Sequence, residues 1–165
     1  MISLVGKLPA HPTRSYLTRS PGLVLNTVFH HTGVDVDNTL EEVAQYHVGT
    51  LGWPGIGYRW LVRQNGTAYE CQPIEIVSYH CGSGSPKIIN GIGSNNWISL
   101  GICFTGIDPT EAQVATMKWL ADEEDKWFGY KLNRLPHSAL SPTPCPGDTW
   151  EQWKEYIIPT PEVPV

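Results

Sequence analysis

The feature that most constrains the fold is an apolar, β-branched segment at residues 22–32, which reads GLVLNTVFHHT. A short run of such residues bounded by a turn is typical of a buried β-strand. The run ends in two adjacent histidines, His30 and His31, and Gly33 follows it. The sequence therefore predicts a buried strand that carries two imidazoles at its end.

Two helices are indicated by their first residues. Thr39 and Thr110 are each followed three residues later by Glu or Gln, which is the spacing of a capping box. We predict a first helix at about residues 40–48 and a longer one that begins after Thr110 and ends at Gly129. A short third helix is expected at about residues 150–157.

Further strands are predicted around a tight turn. The segments RWLVRQ and TAYECQ flank Asn65-Gly66, a strong hairpin signal, and ISLGICF at residues 98–104 indicates another central strand. The Gly- and Ser-rich stretch at residues 81–96 is expected to be a long loop. These elements predict an α/β fold in which a central mixed β-sheet is flanked by helices.

The chain length suits a single domain. With 165 residues, the chain is expected to form one hydrophobic core. We divide the sequence into an N-terminal extension at residues 1–21, a main domain at residues 22–158 and a Pro-rich tail at residues 159–165. Nothing in the sequence suggests an obligate partner, so we expect a monomer.

Charge and hydropathy argue against two classes of partner. The formal net charge is −5 and no run of Lys or Arg is present, whereas nucleic acid binding needs a basic face. No apolar stretch approaches the roughly 18 residues of a membrane-spanning helix. The N-terminus meets Pro9 and Pro12 before any long apolar region, unlike a secretory signal. We therefore expect the chain as given to stay in the cytoplasm until something else releases it.

The four cysteines are too few for a disulfide scaffold in a chain of this size. Cys71 and Cys81 would be able to pair if their strands lay side by side. Cys103, inside the apolar run LGICF, is expected to be a buried thiol. Cys145 is different, because it lies in a rigid Pro-Cys-Pro-Gly loop where packing gives no reason for a thiol.

His30, His137 and Cys145 all have side chains that zinc accepts as ligands, and catalytic zinc takes three protein ligands and a water. His137 and Cys145 are joined by the kinked segment SALSPTP, which suits a loop that folds back on itself. His30 lies far earlier, at a strand end where a histidine is more often a satisfied polar residue than a ligand. Spacing alone therefore leaves the site open.

Four segments occur in one order along the chain: VFHHTG, GWPGIGYRW, NNWISLGICFTG and LPHSALSPTPCPGD. Together they resemble the N-acetylmuramoyl-L-alanine amidase family, which includes small phage lysins and the peptidoglycan recognition proteins. The similarity runs from about Leu23 to Trp153 and depends on the order of the segments. It implies a peptidoglycan recognition protein-like single domain that hydrolyses the amide bond between N-acetylmuramic acid and L-alanine in peptidoglycan.

The resemblance also assigns roles to individual residues. The family's zinc ligands fall on His30, His137 and Cys145, and the choice of His30 over its neighbour rests on the resemblance. Tyr58 is implied to orient the attacking water or to stabilise the oxyanion, because a phenol with a pKa near ~10 is a poor base. Thr143 falls where phage relatives often carry Lys, and its hydroxyl is able to donate to an oxyanion without supplying positive charge.

Three more residues are candidates for substrate binding. His31 faces the opposite side of the strand from the ligand if alternation holds, and either orients the ligand or packs. His80 opens the Gly- and Ser-rich segment and is expected to contact substrate. Asn96 makes either a structural loop hydrogen bond or a ligand contact. His47, on the apolar side of the first helix, is expected to be a packed structural histidine.

The resemblance leaves two main functions open. One is a zinc amidase that degrades the cell wall, of the phage or prophage endolysin type. The other is a non-catalytic module that binds peptidoglycan, as recognition proteins without zinc do. Such proteins typically lack the cysteine ligand, whereas this chain retains Cys145. A regulatory protein that uses the fold to bind another protein is a third possibility.

Overall fold

The computed structural model describes residues 1–158, and the predicted Pro-rich tail lies outside the described residues. Within that range the chain forms eight short strands and four α-helices. The strands are β1 (Ile2–Ser3), β2 (Asn26–His31), β3 (Trp60–Val62), β4 (Ala68–Glu70), β5 (Ile88–Ile89), β6 (Ile92–Gly93), β7 (Ser99–Phe104) and β8 (Asn133–Pro136). The helices are α1 (Leu40–Gln45), α2 (Ser94–Trp97), α3 (Glu111–Phe128) and α4 (Trp150–Ile157).

The main sheet has six strands in the order β1-β4-β3-β7-β2-β8. β3 and β4 are antiparallel across Asn65-Gly66, as the hairpin signal predicts, and the other neighbouring pairs are parallel. The prediction of a central mixed sheet flanked by helices is therefore confirmed. β2, the apolar segment of the sequence, lies between β7 and β8, and its residues Asn26 to His30 are buried.

The prediction of a continuous loop at residues 81–96 is wrong in its second half. β5 and β6 form a separate antiparallel hairpin, and α2 follows directly. The turn between the two strands is Asn90-Gly91, with φ of 50° and 79°. This is the same dipeptide signal that marks the first hairpin, and the surrounding Gly and Ser residues obscured it.

The three predicted helices are present. Both capping boxes form, with the Thr39 and Thr110 side chains accepting from the backbone N–H three residues on. α1 is extended by one π-helical turn over Tyr46–Thr50, so the helical segment runs slightly beyond the prediction. α3 ends at Gly129, whose φ of 73° is the left-handed conformation that glycine adopts without strain.

Helices cover both faces of the sheet. α3 and α4 pack on one face, over a core that includes Phe29, Ile102 and Phe104. α1 packs on the other face, over Leu61 and Cys103. Cys103 is fully buried, as predicted, and all four cysteines are free thiols. Because side chains alternate along a strand, β2 directs His30 and His31 to different faces.

The N-terminal segment packs on the domain. β1 adds a parallel edge strand beside β4. The buried guanidinium of Arg19 donates to four backbone carbonyl oxygens, those of Ile74, Asn96, Trp97 and Ser99. These contacts join residues 1–21 to the segment that leads into β7. Among residues 1–158, no helix is both long and apolar enough to cross a membrane.

We predict that Ile102→Ala destabilises the protein by about 2–5 kcal/mol, because a fully buried side chain at the centre of β7 leaves a cavity that the sheet cannot close. Urea unfolding followed by circular dichroism measures the change in the free energy of unfolding. The control is Ile88→Ala, since Ile88 is 67% exposed and its loss should cost less than about 0.5 kcal/mol. Equal effects of the two substitutions would contradict the described core.

Candidate metal centre

The sheet topology brings His30 and His137 together. β2 and β8 are parallel neighbours in a register that sets Phe29 opposite Pro136. His30 follows Phe29 in β2, and His137 follows Pro136 at the end of β8. Both therefore lie at the same edge of the sheet, where the two parallel strands end. Their ring centroids are 4.4 Å apart. Two residues that are distant in sequence thus become neighbours through strand pairing alone.

Cys145 reaches the same edge through the loop that follows β8. The N–H of Ser138 donates to the carbonyl oxygen of Cys145 at 2.8 Å, which closes the loop on itself as the spacing predicts. The Cys145 Sγ lies 3.8 Å from His30 Nδ1 and accepts the backbone N–H of His31 at 3.4 Å. One donor atom from each of His30, His137 and Cys145 lies within 4.8 Å of the other two.

The three side chains fit a zinc ion by their chemistry. Burial lowers the pKa of His30 well below its usual range and that of His137 to about 4, so both rings are neutral, as metal ligands must be. His137 Nε2 is buried without a hydrogen-bond partner among residues 1–158. Burial also raises the pKa of the Cys145 thiol to about 11. A cation held by these donors would reverse that shift.

Tyr58 lies beside the donor cluster, with its ring centroid 5.1 Å from that of His30. Burial raises the pKa of its phenol well above the usual value near 10, so the hydroxyl stays protonated. The glycine before it is required by packing, because a Cβ on Gly57 would lie 2.1 Å from the Tyr79 carbonyl oxygen. Tyr58 is therefore held next to the candidate ligands as a hydrogen-bond donor.

Thr143 belongs to the loop that carries Cys145. Its Oγ1 accepts the backbone N–H of Cys145 at 3.3 Å, and its own N–H donates to the Ser141 carbonyl oxygen at 2.9 Å. A hydroxyl that accepts one hydrogen bond still has a proton to donate. Thr143 thus orients the ligand loop and keeps a donor available beside it.

His31 lies on the α3 and α4 face, with its ring 6.1 Å from that of Phe104. Its Nδ1 is buried and has no hydrogen-bond partner in the described part of the chain. The backbone of His31, by contrast, donates to the Cys145 sulfur. The two histidines of the pair therefore contact the cluster differently, one through its ring and the other through its main chain.

His80 and Asn96 lie behind His30. His80 is only 6% exposed, and its Nδ1 is 3.0 Å from His30 Nε2. The Asn96 Oδ1 accepts two backbone N–H groups, from His80 at 3.0 Å and from Cys81 at 2.9 Å. Both side chains are buried: His80 contacts the candidate ligand His30, and Asn96 makes loop hydrogen bonds, one of its two predicted roles.

The family model of N-acetylmuramoyl-L-alanine amidase matches residues 21–148, which is well over half of the chain. The chain belongs to the N-acetylmuramoyl-L-alanine amidase family. The matched range contains β2, β8 and the loop that ends in Cys145, so all three candidate ligands lie inside it.

Named relatives of this amidase-family chain fall into two groups. Peptidoglycan-recognition protein SC2 of Drosophila melanogaster is 28% identical over 149 residues, which covers 77% of this chain and 74% of the relative. Among solved structures, the N-acetylmuramoyl-L-alanine amidase LysC from Clostridium intestinale URNW is 25% identical, with a TM-score of 0.66 over 91% of this chain and 96% of that one. The Ph2119 endolysin from Thermus scotoductus MAT2119 bacteriophage Ph2119 is 28% identical, with a TM-score of 0.68 over 87% and 90%.

A cavity of about 360 Å³ is lined by Tyr58, whose ring lies beside that of the candidate ligand His30. It lies between the α1 segment and the end of β2, and it is lined by Thr32, Val34, Asn38, Glu42, Val43, Tyr46, His47 and Tyr58. Several of these residues recur at helical spacing after Thr39, but sequence alone gave no reason to place that helix face beside the ligands. His47 is buried and accepts the Gly57 N–H at 3.0 Å, which confirms its structural role.

A larger cavity of about 690 Å³ lies between α3 and α4. Neither Tyr58 nor any of the three donor residues lines it. The donor cluster, where polar side chains with shifted pKa values lie close together, is therefore the candidate functional site. The larger volume of the other cavity does not by itself indicate a functional site.

We predict that Asn96→Ala destabilises the protein, because the buried N–H groups of His80 and Cys81 lose their acceptor, at about 1–3 kcal/mol for each group. Thermal unfolding of the purified variant measures this loss. The neighbouring variant Asn95→Ala removes a single contact, to the Leu140 carbonyl oxygen, and should cost less. A larger loss for Asn95→Ala would argue against the anchoring role of Asn96.

Proposed function

We propose that this protein is a zinc-dependent amidase that hydrolyses the bond between N-acetylmuramic acid and L-alanine in peptidoglycan. We further propose that it acts as a cell-wall lysin of the phage or prophage type. The observation that carries the proposal is the cluster of His30, His137 and Cys145, whose donor atoms lie within 4.8 Å of one another. The endolysin and amidase among the structural relatives support the same reaction.

Zinc, when bound, would supply a Lewis acid that polarises an amide carbonyl and lowers the pKa of water towards ~7. His30 and His137 would hold it as neutral imidazoles, and Cys145 would hold it as a thiolate. The backbone N–H of His31 donates to the Cys145 sulfur and so favours the thiolate. The protein therefore provides two neutral donors and one anionic donor.

The proton-bearing groups of the site act as donors. Since burial keeps the Tyr58 phenol protonated, its role is to donate a hydrogen bond to the scissile carbonyl oxygen as negative charge develops there. Thr143 offers a second donor from the opposite loop, without a positive charge. Preorganised donors of this kind stabilise the transition state because they need no reorientation during the reaction.

The cavity beside Tyr58 is the proposed site for the part of the substrate next to the scissile bond. It combines apolar walls, such as Val34 and Val43, with the polar side chains of Asn38 and Glu42. A lactyl-peptide segment has the same mixture of methyl and amide groups. Its amide N–H groups would find acceptors in the cavity, and its methyl groups would be covered by apolar side chains.

The first functional prediction concerns the metal. The purified protein should contain zinc and should release L-alanine amino groups from purified peptidoglycan, and a chelator should abolish this release until zinc is restored. Cys145→Ser should lose both zinc and activity because the thiolate ligand is gone. Elemental analysis measures zinc, and amine labelling measures cleavage.

The matched control for this experiment is Cys71→Ala, which removes a buried thiol that belongs to the α1-side core. It should keep both zinc and activity. Full activity of Cys145→Ser without zinc would refute the mechanism. Wild-type protein that binds peptidoglycan without releasing amines would instead support a non-catalytic recognition module.

The second functional prediction concerns Tyr58. Tyr58→Phe should lower kcat by about 10²–10³, the effect of removing one oxyanion donor, while the zinc content stays unchanged. Steady-state kinetics on a soluble muramoyl-peptide measures the effect. Tyr69→Phe, in β4, is the control and should leave kcat at the wild-type value. A change in KM with unaltered kcat would show that Tyr58 serves binding only.

A further inference from the structure

His80, a buried histidine outside the candidate ligand set, lies on the inner side of the donor cluster. His80 Nδ1 lies 3.0 Å from His30 Nε2, and the two rings meet edge to face with centroids 5.1 Å apart. The other ring nitrogen of His80, Nε2, lies 3.4 Å from the Ser99 carbonyl oxygen and 3.8 Å from the Cys81 sulfur. Both imidazoles are buried, so their ring nitrogens depend on one another for hydrogen bonds.

We propose that His80 is a positioning residue that fixes the ring orientation and tautomer of His30, so that His30 Nδ1 presents its lone pair to the zinc ion. The proposal rests on the proposed zinc site. It assigns to His80 a contact with a metal ligand in place of the substrate contact expected from the sequence.

The tautomers follow from the two ends of this chain of contacts. The Ser99 carbonyl oxygen only accepts, so the proton of a neutral His80 lies on Nε2 and its Nδ1 is an acceptor. His30 must then donate through Nε2–H, which leaves its Nδ1 without a proton. That Nδ1 is the nitrogen that faces Cys145 Sγ, at 3.8 Å. The inner contacts therefore prepare the correct donor atom before any ion binds.

The surroundings hold His80 in this position. The Asn96 Oδ1 accepts the His80 backbone N–H at 3.0 Å. The Ser99 carbonyl oxygen also accepts from the buried Arg19 guanidinium at 2.9 Å, which fixes the far end of the chain of contacts. Gly101 of β7 leaves the space that the ring occupies, because a Cβ there would lie 3.1 Å from His80 Nδ1. A backbone hydrogen bond, the missing side chain at Gly101 and the Ser99 carbonyl oxygen held by Arg19 together fix the position of the His80 ring.

The test compares two substitutions of His80 in the full chain. His80→Leu removes the acceptor and should weaken zinc affinity about 10- to 100-fold, the usual effect of losing a partner of a ligating histidine. His80→Asn should restore most of the affinity, since the Asn Oδ1 is as far from Cβ as the histidine Nδ1. Competition with a chromophoric chelator measures the affinity. Wild-type affinity in His80→Leu, or equal losses in both variants, would overturn the proposal.

The control is His47→Asn, which changes another buried histidine, whose ring accepts the Gly57 N–H. Because His47 lines the proposed substrate cavity, only its zinc affinity is compared, and this should be unchanged. A second measurement needs no variant. ¹⁵N NMR of the zinc-loaded wild-type protein should show His80 and His30 each protonated at Nε2. A proton on His80 Nδ1 would contradict the proposal even if His80→Leu failed to fold.

These readouts are separate from catalysis. Amine release from peptidoglycan, measured on the same samples, tests the proposed amidase function. If the His80 variants change zinc affinity as expected but the wild-type protein releases no amines, the proposed reaction fails and the positioning role stands.

Discussion

The candidate metal centre depends on the parallel pairing of β2 with both β7 and β8. β2 is a buried strand, and its last residues lie at the same sheet edge as the chain that leaves β8. Because neighbouring parallel strands end at one edge, His30 and His137 meet there without any loop having to span the sheet. A shift of one residue in the β2 register would turn His30 to the other face. The same strand pairing that forms the sheet therefore also brings the candidate ligands together.

Burying so many polar groups at one point is costly unless each is hydrogen-bonded or ligated. The protein meets most of that need internally: His80 pairs with His30, Asn96 holds the His80 backbone, and Arg19 caps the carbonyl groups beneath them. His137 Nε2 is an exception within the described residues. His31 Nδ1 and three side-chain atoms of other residues also lack a partner there, so incomplete hydrogen bonding is not confined to the candidate donors.

Much of the fold was predictable because local signals were strong. The two capping boxes, the Asn65-Gly66 hairpin and the apolar β2 segment each act within a few residues of sequence, and all are present. The β5–β6 hairpin was missed since its turn dipeptide lies among other glycines. The candidate ligands were named through resemblance to the amidase family, and spacing by itself supported only His137 and Cys145.

The sequence by itself determined which chemistry is available: a strand ending in two histidines, a cysteine in a Pro-rich loop and a family match along the chain. Only the tertiary structure decided where His80 and Asn96 lie relative to the candidate ligands. Nothing in the local sequence of His80 or Asn96 distinguishes a residue that contacts substrate from one that positions a ligand or a loop. Their positions behind His30 follow from the packing of β7 and the N-terminal segment, and such long-range contacts leave no periodic or local trace in a single sequence.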